Sequence, residues 1–235
     1  MDLESEKKML MIQCLHRIMK PFMLRRTKAD LETKLPEKIE INVSIQMSPM
    51  QIKVYQEILK QTFFKDGHRR QISNTLMQCR KACNHPYLFD NVEEEGVEEF
   101  GEHLVFNSGK MIFVDKLLAK VAEAKEQVLI FSQFTSMLNI LEDYMMMRGH
   151  KYFRLDGETE LEDREQYIEE FTKPGSEYSV FLISTRAGGL GINLVTANHV
   201  VLHDSDWNPQ IDLQAMDRAY RIGQKKQVYV YRLIC

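Results

Sequence analysis

A chain of 235 residues, 44% apolar and 28% charged, is long enough for one large domain or two small ones with a buried core. Its 31 Lys and Arg against 34 Asp and Glu leave a formal charge of −3, which excludes a bulk polycation, so any contact with nucleic acid must come from a local site. No apolar run approaches the roughly 18 residues of a bilayer-spanning helix, the opening MDLESEKKML lacks a signal-peptide core, and Cys14, Cys79, Cys83 and Cys235 are too few and scattered for a disulfide framework and fit a reducing compartment.

In chain order, MLMIQCLHRIM places apolar residues at helical spacing, and Pro21 ends that helix. IEINVSIQM, residues 39–47, alternates as a strand does. Ser48 is placed to cap a helix with Pro49 in its first turn and Ile52, Tyr55, Ile58 and Leu59 on one face. A second helix is expected from Gln71 to Ala82. The run NVEEEGVEEFGEH, with six glutamates from Glu93 to Glu102, has no apolar period and reads as a solvated loop. It divides the chain by charge: residues 1–90 carry a net +6 and residues 91–235 a net −9. The 14 methionines read as adaptable core filler, plus a helix surface around Met145, Met146 and Met147.

The C-terminal part alternates strand and helix. VLIF (128–131), YFRL (152–155), VFLIS (180–184), HVVLH (199–203) and VYVYRLI (228–234) are separated by the helical patterns MLNILEDYMMM, LEDREQYIEEF and IDLQAMDRAYR. Thr159 and Glu162 have the spacing of a capping box before the second of these. Continuous apolar strands alternating with helices predict an α/β fold with a parallel sheet covered on both faces, its functional loops beyond the strands' C-terminal ends.

Those loops hold the candidate residues. TRAGGLGIN follows VFLIS; three glycines in four positions let backbone amides approach an anion, although glycines after a strand also simply form turns. DSDWNPQ follows HVVLH and holds the single tryptophan, Trp207, either buried beside a capping turn or held out to stack against a base. Gln214, Arg218 and Arg221 fall at helical spacing on one face; two guanidiniums there suit a polyphosphate, unless Asp212 and Asp217 pair with them. Cys79, Cys83 and His85 offer three ligands without a fourth nearby, which fits packed thiols better than zinc. No Walker A spacing and no D-E-x-H box occurs.

Together the strings VLIFSQF, RLDG, STRAGGLGINL, DSDWNPQ and QAMDRAYRIGQ resemble, in order and spacing, the second ATPase lobe of SWI/SNF-type chromatin remodellers within the superfamily 2 helicases. ILEDYMMMRG, DLQAMDRA and NSGKM resemble the imitation-switch (ISWI) branch. KPFMLRRTKADLETKLPEK and CRKACNHPYLFD resemble the linker and helical protrusion that precede this lobe. The resemblance implies a RecA-like parallel sheet with helices on both faces, and an organisation of interlobe linker (1–47), helical protrusion (48–90), acidic loop (91–107) and C-terminal helicase lobe (108–235). It also assigns roles. Arg218 and Arg221 are arginine fingers, Gln214 orients the cleft, and Gly191 and Asn193 lie by the nucleotide ribose. Thr185, Arg186 and Gly188 hold the DNA backbone, Ser132, Gln133, Gly157 and Arg164 add phosphate contacts, and Trp207 faces the minor groove. Tyr220 stands where the family usually has histidine.

The resemblance further implies ATP with Mg2+ held mainly by a first lobe that this sequence lacks. The expected partners are that lobe, double-stranded DNA, the nucleosome and a basic histone tail, with no membrane, in the nucleus. The chain alone is expected to hydrolyse ATP negligibly. A translocase lobe of repair or transcription, and an interaction module without motor activity, remain as alternatives.

Overall fold

Each of the apolar runs is a strand, and one further strand joins them from the N-terminal part. The computed structural model describes residues 3–23, 35–63, 69–89, 92, 100–187 and 191–235. Strands β1 (Lys38–Ser44), β2 (Val128–Ser132), β3 (Tyr152–Leu155), β4 (Val180–Ser184), β5 (His199–Leu202) and β6 (Val228–Ile234) form one sheet in the order β1-β6-β5-β2-β4-β3. Every pairing is parallel. β1, with polar Glu40 and Asn42, lies on the edge and pairs with β6 from Lys38 opposite Val228 to Ser44 opposite Ile234.

The central strands β2, β4 and β5 are buried at every position and apolar except at Ser132, Ser184 and His199 on their ends, because both faces are covered. Val128 and Ile130 of β2 and Val180 and Leu182 of β4 face one core, with Val114, Leu118 and Val121 of α5 (Gly109–Glu123) and Met137, Leu141 and Tyr144 of α6 (Thr135–Arg148). Leu129, Phe131, Phe181 and Ile183 face the other, with Phe171 of α7 (Leu161–Thr172) and Ala215 and Met216 of α8 (Pro209–Met216). Parallel strands place all six C-terminal ends, and the loops that leave them, at one edge.

Residues up to Lys34 form a unit distinct from Leu35–Cys235. Its described part is helix α1 (Leu3–Met19) followed by one 3-10 turn containing Pro21. In the larger unit α2 (Pro49–Phe63) and α3 (Arg69–Asn84) precede the short helix α4 (His103–Phe106).

A buried glutamine joins these helices to the lobe. Ser48 Oγ accepts the Gln51 N–H at 3.1 Å, as a helix cap, and donates to the Asn107 carbonyl. Gln51 Oε1 accepts the amides of Ser48 and Gly109, and its Nε2 donates to the carbonyls of Ala82 and Cys83. The four bonds use its whole amide. Gly109 is obligatory, because a Cβ there would lie 1.9 Å from the Gln46 carbonyl oxygen.

Four expectations are corrected. On α2 the buried residues are Gln51 and Val54 and Ile52 is exposed, since four buried backbone groups need Gln51 inside. The capping box does not form: Glu160 precedes α7 without a side-chain cap, and Thr159 Oγ1 instead accepts the Asp156 N–H. Met145 is buried and Met146 exposed, so the three methionines are not one surface. The segment 91–107 ends in α4, whose Leu104 and Val105 are buried, while Glu93–Glu99 lie outside the described residues.

Candidate functional site

The loops after β2 and β5 meet at a buried carboxylate. Asp204 Oδ2 accepts from Ser132 Oγ at 2.6 Å and from Asn84 Nδ2 at 3.2 Å, and Oδ1 accepts the Gln133 amide at 2.9 Å. Lys110 is buried beside it and donates Nζ to Asn84 Oδ1 and to the His203 carbonyl. Burial pushes the Asp204 carboxyl above its ordinary range, opposed by the Ser132 hydroxyl, the Gln133 amide, Lys110 and Arg80. Burial likewise pulls the Lys110 ammonium down. The Ser132 hydroxyl is therefore engaged inside the protein and supports its loop. The Gln133 side chain differs: its Nε2 is buried without a partner among the described residues.

Beyond Asp204 the chain turns outward. Asn208 caps α8 by accepting the Gln210 amide at 3.1 Å, and Pro209 occupies the first turn. Trp207 is 73% exposed, which rules out the buried alternative. The Arg80 guanidinium lies over its ring.

Gly157 is exposed in the turn after β3. Arg164 is only 8% exposed and faces this turn, its Nη2 reaching the carbonyls of Asp156 and Thr159 at 3.4 Å. Its Nε and Nη1 have no partner among the described residues. After β4, Thr185 is buried with Oγ1 lacking a partner among the described residues, its backbone amide tied to the Ser132 carbonyl at 2.9 Å, and Arg186 is exposed. Gly188 lies outside the described residues. The structure thus aligns Gln133, Gly157, Thr185 and Arg186 along the ends of β2, β3 and β4, while Ser132 and Arg164 sit beneath that rim.

The arginine pair is positioned differently from the helical spacing. α8 ends at Met216, so only exposed Gln214 lies on it, and Arg218 and Arg221 follow in turns. Asp212 does not pair with either, being buried and bonded to Arg232. The Arg218 carbonyl accepts the Leu194 amide at 3.0 Å, and Arg221 Nη1 reaches the Gly191 carbonyl at 3.3 Å. The turn thereby lies against Gly191–Leu194, where Gly191 has a φ of +69° and Asn193 is exposed. Arg218 Nε is buried without a partner among the described residues. Burial and then the adjacent Arg221 guanidinium pull Arg218 below the ordinary arginine range, with Asp217 opposing. Two cations held together without a salt bridge among the described residues form a site that an anion completes.

Gln224 holds this turn. It is buried, donates Nε2 to the carbonyls of Ala197 and Ala219 at 2.9 and 3.1 Å, and accepts the amides of Lys225 and Lys226. Tyr220 is half-buried, with Lys38 Nζ over its ring. His85 is structural: its ring bonds the Leu104 carbonyl and the Tyr87 amide, and burial lowers it to about 4. No cluster able to hold a metal ion occurs among the described residues.

Comparison with known proteins decides the affiliation. Residues 2–88 match the SNF2-related domain, and residues 109–223 match the helicase conserved C-terminal domain. The chain is 53% identical over 232 residues to the ISWI chromatin-remodeling complex ATPase ISW2 of Saccharomyces cerevisiae, covering 96% of this chain and 21% of that protein. It belongs to the SNF2-related family. A human relative, SWI/SNF-related matrix-associated actin-dependent regulator of chromatin subfamily A member 1, is 54% identical over 229 residues, 95% of this chain and 22% of its own. The chain thus spans about a fifth of the length of these curated relatives.

Two solved SNF2 structures share the fold. The C-terminal part of the Fun30 ATPase domain has a TM-score of 0.73 at 29% identity and covers 86% of each chain. The Sulfolobus solfataricus SWI2/SNF2 ATPase core in complex with dsDNA has a TM-score of 0.68 at 32% identity, over 94% of this chain and 46% of that one. The sheet is the RecA-like lobe of this SNF2 family. Asp204, Lys110, Asn84 and Arg80 lie within the motif-bearing segments, but their supporting role shows only in the fold, which joins residues 26 to 125 positions apart; Gln224, in the same motif as the arginines, holds its turn through the Ala197 and Ala219 carbonyls.

Proposed function

We propose that this chain is the second motor lobe of an ATP-dependent chromatin remodeller that moves along duplex DNA in nucleosomes, in the nucleus. The observation that carries the reading is the Arg218–Arg221 pair, two guanidiniums beside Gly191 and Asn193, where burial and mutual repulsion outweigh the opposing charge of Asp217 and pull Arg218 below the ordinary arginine range. A polyphosphate relieves both. The donor set fits ATP with Mg2+ held mainly by a first lobe. That nucleotide supplies the γ-phosphoryl group, on which negative charge shifts as the bond to the leaving oxygen breaks. Arg218 and Arg221 bring planar, permanently charged donors to the phosphoryl oxygens as the lobes close. Gly191 and Asn193 face the ribose, Gln214 faces the partner lobe, and Gln224 keeps the arginine turn in place.

The DNA reading rests on the rim of the same sheet edge. Exposed Arg186 and Gly157 supply a donor and close backbone approach for a phosphate chain, buried Thr185 Oγ1 and Gln133 Nε2 lie behind them as donors without partners among the described residues, Ser132 and Arg164 support the rim from below, Gly188 follows Arg186 in sequence, and Trp207 reaches the minor groove. Such contacts are independent of sequence, as movement along DNA requires. The Sulfolobus relative was solved with dsDNA, which supports duplex rather than single-stranded substrate.

The acidic side of the lobe fits a basic histone tail. Glu142 and Asp156 are engaged by Arg154, and Glu170 by Lys173, so the surplus charge lies on Glu158, Glu160, Glu162, Asp163, Glu165 and Glu169 around α7. Titration of a basic tail peptide followed by NMR tests this, with shifts expected at residues 158–169.

For the DNA rim, duplex affinity is measured against salt for the wild type and Arg186→Ala. The expected result is uniformly weaker binding across sequences and a slope of log K on log salt shallower by about one. Unchanged affinity and slope would remove Arg186 from the interface.

A further inference from the structure

Trp207 is exposed yet oriented. An indole at the tip of a loop gains little from burial, and holding its torsions costs side-chain entropy. Something else must hold it. The Arg80 guanidinium carbon lies 5.3 Å from the Trp207 ring centroid and 5.6 Å from that of Phe134. Its Nη2 donates to the Ser205 carbonyl at 2.8 Å, two residues before the indole. A planar guanidinium suits the position because its faces stack on rings while its edge keeps donors for the carbonyl.

The arm that carries Arg80 is itself fixed. Asn84 lies one helical turn further along α3, on the same side as Arg80. Its Nδ2 donates to Asp204, its Oδ1 accepts from buried Lys110, and its carbonyl accepts from Ser108 Oγ at 2.7 Å. One face of α3 therefore grips the loop after β5 twice, at Asp204 through Asn84 and at Ser205–Trp207 through Arg80. Phe134, at the start of α6, closes the stack from the loop after β2.

We propose that Arg80 is a positioning residue that holds the Trp207 indole outward, so that helix α3 sets the attitude of the tryptophan. Its consequence for DNA rests on the reading of Trp207 given above; the holding itself does not. Cation–π stacking at a partly exposed site restrains an indole by about two- to fivefold in population over its other orientations.

Because Trp207 is the single tryptophan, indole emission from this chain reports on this loop alone. Acrylamide quenching and time-resolved anisotropy are measured without DNA for the wild type, Arg80→Ala, Arg80→Met and Arg80→Lys, with circular dichroism melting as the folding control. Arg80→Ala and Arg80→Met are expected to raise quenching about twofold and add a nanosecond depolarising component, at an unchanged spectrum of secondary structure. Arg80→Lys, which keeps a cation but loses the planar faces and the donor edge, is expected to recover only part of the restraint. Phe134→Leu provides a second route, loosening the indole with Arg80 intact. Quenching and anisotropy equal to wild type in Arg80→Ala would overturn the proposal. Duplex binding then separates the two readings: Arg80→Ala and Trp207→Ala should weaken it non-additively. A loosened indole with duplex affinity indifferent to Trp207→Ala would sustain the holding role and remove Trp207 from the DNA.

Discussion

Two loop systems leave the same sheet edge and are built on opposite plans. Around Asp204, polar side chains from β2, α3, α5 and the loop after β5 turn inward and bond one another, and Trp207 projects. In the turn after α8, Gln224 satisfies the backbone while Arg218 Nε is left without a hydrogen-bond partner among the described residues, with the Asp217 carboxylate offsetting only part of the burial and of the repulsion from Arg221. The first plan makes a platform whose shape is fixed before any ligand arrives. The second keeps positive charge in reserve at a cost, since two cations are held together under partial burial. A rigid tread beside an incompletely compensated charge is what a motor lobe needs if its grip on DNA is constant and its nucleotide site is completed from outside.

The comparison can be broken from either side. The largest effect is expected from the arginine turn: in the intact protein, Arg218→Ala should lower DNA-stimulated ATP turnover by about a thousandfold, measured as phosphate release, with little change in melting temperature. On the platform, Asp204→Ala leaves Lys110 buried without its carboxylate, so urea unfolding should show a loss of about 3–5 kcal/mol. The pH dependence of stability tests the same region. His85 is held neutral down to about 4, and complete burial also lowers His203 well below the ordinary histidine range. A folded-state pKa below the unfolded value means that the unfolded chain binds the extra proton. Stability is then full above pH 6.5 and falls with acidification, at about 1.4 kcal/mol per pH unit for each such histidine. His85→Gln should flatten that slope between pH 6.5 and 4. Smaller still, Gln224→Ala removes the side-chain donor to the Ala197 carbonyl and one of two donors to the Ala219 carbonyl and should cost about 2 kcal/mol, with turnover falling because the arginine turn is displaced.

The sequence carried the two plans unequally. The five C-terminal strands were legible because doubly covered parallel strands are nearly continuous apolar runs, interrupted here at residues such as Arg154 of edge strand β3 and Arg232 of β6, and the strand over residues 39–47 was legible from its alternation. The loop residues could be placed at one edge because crossover topology leaves them no other place. Helix α8 was overestimated because the periodic pattern of IDLQAMDRAYR continues past Met216, where Leu194 and Gln224 bind the backbone into turns. The capping box failed because Asp156 competes for Thr159 through a local turn. The platform was hidden for a different reason. Lys110, Asn84 and Asp204 are polar residues separated by 26 to 120 positions, and nothing local distinguishes a buried lysine from a solvated one. Trp207 was ambiguous for the same reason, since Arg80 stands far from it in sequence.

The central claim is that Arg218 and Arg221 complete a nucleotide site supplied by another lobe. DNA-stimulated ATP hydrolysis by this 235-residue chain, by the intact protein and by intact Arg221→Ala tests it most directly. The account predicts no turnover by the chain alone, robust turnover by the intact protein, and a fall of about a thousandfold in the variant at unchanged melting temperature. DNA-stimulated hydrolysis by the chain alone, or a wild-type rate in intact Arg221→Ala, would contradict it.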